Sequence, residues 1–148
     1  MDYNHNNISP LDNRYKNKIL DLREVFSEHA LVKTRFIIEI DWLIFLCSNH
    51  SKYFGSISKS SINKLNKFKN NFSDKDVKKI KKIEEITNHD VKAVEYFIRD
   101  FFKKDKTLSK YIHLIHFGLT SEDINSLSYA LMIKKGTAIH IDKAISCK

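Results

Sequence analysis

Residues 31–46 read LVKTRFIIEIDWLIFL. Leu31, Val32, Ile37, Ile38, Ile40, Trp42, Leu43, Phe45 and Leu46 recur at helical spacing without keeping to one face. A helix apolar on more than one side must be covered on more than one side, so this segment predicts a helix buried on two sides. The most apolar run, Phe36 to Cys47, holds Glu39 and Asp41. It is shorter than the ~20 apolar residues that a membrane-spanning helix needs.

Helical periods extend to either side. Leu20, Leu22, Val25 and Phe26 precede the segment. After it, residues 51–61 carry Gly55 and five serines and read as a loop. Ile62, Leu65 and Phe68 then mark a short basic helix. Ser73-Asp74-Lys75-Asp76 has the form of a capping box, opening a helix that carries Val77, Ile80, Ile83 and Ile86. Thr87-Asn88-His89-Asp90 breaks the pattern, and Val91, Val94, Phe97 and Ile98 resume it. Residues 103–109 are charged and aperiodic. A second capping-box pattern, Thr120 to Asp123, opens a last helix through Ile124, Leu127, Leu131 and Ile133, which Gly136 is expected to weaken. Thr137 to Lys148 alternates apolar and polar residues with no stop signal, as though the chain ended within an element. The predicted class is all-α.

Composition narrows the function. The 148 residues include 3 Gly, 1 Pro and 2 Cys. That length suits one domain, or one domain and a fragment, with a real core. So few turn residues argue against a β-sandwich or barrel, and neither GxGxxG nor a Walker loop is present. Cys47 and Cys147 form no disulfide framework and fit a reducing compartment. The polar N-terminus MDYNHNN is not a signal peptide, so a soluble, cytoplasmic protein with no membrane partner is expected. The net charge is +8, yet nine Lys and two Asp between Lys59 and Lys82 contribute +7 of it. Lysine outnumbers arginine 22 to 4, whereas base and phosphate recognition favours the arginine fork. No nucleic-acid partner is expected. Phe97, Phe101 and Phe102 read as core rather than a base-stacking platform.

Three polar clusters could carry chemistry. Arg14 beside Tyr15, within Ser9-Pro10-Leu11-Asp12-Asn13-Arg14-Tyr15, could hold an anion with a guanidinium fork and a phenol. A helix cap with an exposed arginine accounts for the same residues. His89 beside Asp90 could act as acid, base or anion donor, while a turn capped by Thr87 or Asn88 is the plain alternative. Thr120 and Ser121 put hydroxyls and free N–H groups where a carboxylate or phosphate would bind, and an ordinary N-cap explains them too. Cys47 with His50, and His113 with His116, match no zinc spacing, and no metal is expected.

Taken together, SPLDNRY (9–15), TNHDVKAVEYFI (87–98) and IHFGLTSEDIN (115–125), in this order and spacing, resemble the N-terminal part of adenylosuccinate lyase, in the fumarase/aspartase superfamily. The resemblance runs from about Ser9 to about Lys135 and corresponds to roughly the first third of a family member. It implies an N-terminal helical domain over residues 1–118 and, over 119–148, the truncated first helix of a central helical bundle. It implies elimination of fumarate from adenylosuccinate, giving AMP, and from SAICAR, giving AICAR, in purine biosynthesis with no cofactor. In the family Arg-Tyr contacts the substrate's phosphate region, which falls on Arg14 and Tyr15. Asn88, His89 and Asp90 join the same pocket, and Thr120 and Ser121 bind the dicarboxylate end. The family's usual Gly before Arg-Tyr is Asn13 here, expected to keep a left-handed turn.

The family's general-acid His lies in a THGQ-like segment and its general-base Ser near SSxMPxKxN, and neither string occurs in these 148 residues. Each group is worth ~10²–10⁴ in rate, so no lyase activity is expected of this chain alone. A homotetramer is implied for the whole enzyme, or a complementary C-terminal chain for this one. A non-catalytic ligand-binding or subunit-association module is the alternative. An apolar stripe of Ile124, Leu127 and Leu131 is expected to stand exposed.

Overall fold

A computed structural model describes residues 9–146; the MDYNHNN terminus and Cys147 lie outside the described residues. Two short 3-10 turns, Pro10–Asp12 and Lys16–Lys18, lead into α1 (Leu20–Phe26) and α2 (Glu28–Asn49). There follow α3 (Ser51–Phe54), α4 (Lys59–Asn70), α5 (Asp74–Thr87) and α6 (Asp90–Lys103). A 3-10 stretch, Ser109–Leu114, then leads to α7 (Ser121–Ser146). The described residues contain helices and no strand, the all-α class expected.

The two-sided reading of residues 31–46 explains the architecture. α2 packs against α1, α4, α5, α6 and α7. One side carries Phe36, Ile40 and Leu43 into the main core, against Leu65 of α4, Ile80 of α5 and Ala93, Val94, Ile98 and Phe102 of α6. The other side places Ile38 in a small second core with Val91 of α6 and Ile124 of α7. Phe36 is fully buried and its ring lies 4.6–5.9 Å from those of Phe68, Phe72 and Phe97. Phe101 stacks on Phe68 at 3.6 Å between centroids, so the Phe97–Phe102 aromatics are core. No described helix is long and apolar enough to cross a membrane.

Four local expectations need correction. Residues 51–61 are not one loop: α3 occupies Ser51–Phe54, and Ser58 caps α4 by accepting the Ser61 N–H. Serine clusters read as loop, but here one of them is an N-cap. Gly136 does not weaken the last helix, which runs unbroken for 26 residues. It lies under Phe26, where an added Cβ would come within 2.3 Å of the ring, so the glycine makes room for α1 on α7. Ile124 is fully buried, leaving Leu127 and Leu131 exposed on the predicted stripe. Asn13 has φ −128°, so that position demands no left-handed backbone.

Candidate functional site

The break at residues 87–90 is where α5 ends and α6 begins. Asn88 takes the left-handed conformation (φ 51°), which asparagine tolerates, and ends α5. Neither Thr87 nor Asn88 caps α6. His89 does, its Nδ1 accepting the Lys92 N–H at 3.3 Å. An accepting Nδ1 carries no proton, so the ring hydrogen lies on Nε2, a donor for a ligand. Asn88, His89 and Asp90, with Lys81, Glu84 and Glu85 of α5, line a cleft of about 500 Å³.

Asp90 is tied in two directions. Its Oδ1 accepts the Val91 N–H at 2.8 Å and its Oδ2 pairs with Arg35 Nη2 at 2.8 Å. Partial burial alone would raise its pKa; the Val91 bond and the Arg35 guanidinium outweigh it and hold the carboxyl below its ordinary 3.8. Arg35 is itself buried, and its Nε donates to Asn125 Oδ1 of α7 at 3.0 Å. One guanidinium thus spans from the start of α6 to the first turns of α7.

At that second helix start, the capping box forms as expected. Thr120 N–H and Oγ1 donate to Asp123 Oδ2 at 2.7 and 2.8 Å, and Asp123 N–H returns a bond to Thr120 Oγ1. The bonds from Thr120 lower the Asp123 pKa, with a further contribution from His116. The connection before it is clamped: Trp42 Nε1 donates to the Phe117 carbonyl at 2.8 Å, and Arg99 Nη2 reaches the Ile115 carbonyl at 3.5 Å. Between them His116 has φ 64°, and its Nδ1 lies 2.6 Å from Glu39 Oε1. The bond to Glu39 raises the His116 pKa above its ordinary 6.5 despite partial burial.

Arg14 and Tyr15 lie elsewhere, in the turn between the two N-terminal 3-10 segments, with the Arg14 guanidinium 5.4 Å from the Tyr15 ring centroid. Both are exposed, and neither lines the cleft of residues 88–90. Cys47 is buried in the core, and no described group of three or more His, Cys, Asp or Glu could hold a metal ion.

The sequence is 42% identical over 142 residues to an adenylosuccinate lyase of Legionella pneumophila (strain Corby), covering 95% of this chain. It is 45% identical over 129 residues to that of Buchnera aphidicola subsp. Baizongia pistaciae, and 43% over 128 residues to that of Escherichia coli (strain K12). The chain is a relative of the adenylosuccinate lyases. It spans 31% of the length of the Legionella protein and 27–28% of the other two. No family model matches it.

Within this relationship, sequence reading missed Arg35, Glu39 and His116. Glu39 sits inside the apolar run and Arg35 at its edge, where a charge signals a buried partner without naming it. His116 stands four residues before Thr120, inside a quoted motif, but its pairing with Glu39 crosses 77 positions.

Proposed function

We propose that this chain supplies the substrate-binding part of an adenylosuccinate lyase active site, for adenylosuccinate and SAICAR. The observation that carries the reading is the buried Arg35, which joins the His89–Asp90 cleft to the helix start at Thr120 and Ser121. Two of the three motifs are thereby held in one framework, with a His Nε2–H donor at one and a helix N-terminus at the other. Arg14 and Tyr15 would meet the nucleotide phosphate, Asn88, His89 and Asp90 the pocket beside it, and Thr120 and Ser121 the two carboxylates. Residues 1–118 would form the helical domain and 119–148 the start of the bundle, in a cytoplasmic enzyme of purine biosynthesis.

The 148 residues bind without turning over. Neither the THGQ-like string nor SSxMPxKxN, which the resemblance ties to the general acid and the general base, occurs in these 148 residues. Association with further helices, as a homotetramer or with a complementary chain, is favoured by the outer side of α7. There Leu127, Leu131, Ile133, Ile141 and Ile145 are 40–66% exposed.

Calorimetric titration of the purified chain with adenylosuccinate tests the reading. Saturable binding is expected, weakened at least about ten-fold by His89→Ala, with no fumarate release. An absence of binding would overturn it, and fumarate release above the His89→Ala background would overturn the binding-only part.

A further inference from the structure

Glu39 is the least economical residue of α2 on stability grounds alone. Its side chain is fully buried between Ile38 and Ile40, and Oε2 has no hydrogen-bond partner among the described residues. Burying a carboxylate is costly, and an apolar residue of similar volume is often at least as stabilising. Its one partner is the His116 ring, on a residue held at positive φ between two clamped carbonyls. A non-glycine residue in that conformation is uncommon and strained.

Other charges face the ring, but they are already engaged. Glu95 of α6 pairs with Lys92 at 2.7 Å and Arg99 at 2.8 Å, and Asp123 of α7 is taken by Thr120. Glu39 is the carboxylate left to govern His116. The ring keeps 17% of its side-chain surface exposed, and with Nδ1 taken, Nε2 is the nitrogen left for a ligand.

We propose that Glu39 is a positioning residue: it takes Nδ1–H of His116 and fixes the imidazole so that Nε2–H is the donor offered to an anionic group at the start of α7. The identity of the ligand rests on the adenylosuccinate reading above; the state of the ring does not.

The test uses the ¹⁵N-histidine-labelled chain, with His116 assigned by comparison with His116→Gln. At about pH 7 both ring nitrogens of His116 are expected to be protonated, and Glu39→Gln should move the midpoint down by at least about one pH unit. Adenylosuccinate affinity should fall about ten-fold in Glu39→Gln at about pH 7 and recover near pH 5.5, where the ring protonates without help. A merely structural glutamate would give no such recovery. A midpoint unchanged by the substitution, or an affinity loss persisting at low pH, overturns the proposal. If Glu39→Gln does not fold, the unsubstituted chain decides: a neutral His116 at about pH 7 overturns it and a doubly protonated ring supports it. Failure of the unsubstituted chain to bind adenylosuccinate would overturn the functional reading, while the His116 midpoint still reports on Glu39.

Discussion

At Arg35, two partners of unequal kind share one buried cation. The Asp90 side chain is 45% exposed and Arg35 only 6%. Removing the carboxylate charge leaves the guanidinium inside with neutral Asn125, the costly way to break such a pair. That should cost about 3 kcal/mol, the lower end of the buried-pair range because water reaches Asp90. Removing the cation leaves a carboxylate that water can solvate, with lost bonds and packing worth about 1–2 kcal/mol. Asp90→Asn is therefore expected to destabilise the chain more than Arg35→Met in urea unfolding, and the reverse order would refute the argument. Gly136 presents another balance. Alanine gains up to about 1 kcal/mol of helix propensity over glycine, but its Cβ would collide with the half-exposed Phe26 ring. Gly136→Ala should stay within about 1 kcal/mol of the parent in global stability. Amide exchange in α1 should nevertheless quicken, because the ring that docks it on α7 is displaced. Unchanged exchange in α1 would show that the contact does not hold it.

Helix starts carry both stability and the candidate site, and two caps separate these contributions. Ser27 caps α2 by accepting the Ala30 N–H at 3.2 Å and does not line the cleft. Ser27→Ala should cost about 1 kcal/mol and leave adenylosuccinate affinity unchanged. His89→Ala removes a longer and more exposed cap, so it should cost less than about 1 kcal/mol while lowering affinity as described. Melting curves and titrations on the same two variants check this, and equal affinity losses would assign His89 a capping role only. Periodicity and capping chemistry are local, which is why α2, α5, α6 and α7 were legible in the sequence. Two-sided burial of α2 was legible for the same reason. The start of α4 was hidden because Ser58 stands in a serine-rich stretch whose composition says loop. Arg35 and Glu39 could not be interpreted locally either: Asn125 lies 90 residues from the one and His116 lies 77 from the other. The candidate motifs came from recognisable strings. The bonds connecting them became visible only in the fold.

Across the whole molecule, titration places limits on stability at both ends of the pH scale. The Asp76 and Asp90 carboxyls are held below their ordinary 3.8, despite burial that opposes this, by bonds from Lys79 and Ser73 and from Val91 and Arg35. A lowered carboxyl contributes stability above its unfolded value and loses it as pH falls through the folded one. His116 is raised, chiefly by its bond to Glu39, so its contribution is full below 6.5 and declines as pH climbs through the folded value. Burial pushes the Cys47 thiol above 9.0, so its effect enters only beyond that pH. Urea midpoints should therefore be flat from about pH 4.5 to 6.5, fall beyond about 6.5, and fall further beyond about 9. Among the described groups whose pKa is raised, only His116 starts from an ordinary value below 9.0, so His116→Gln should remove the first decline and leave the second in place. A first decline that survives the substitution would show that the Glu39–His116 bond does not govern stability near neutral pH.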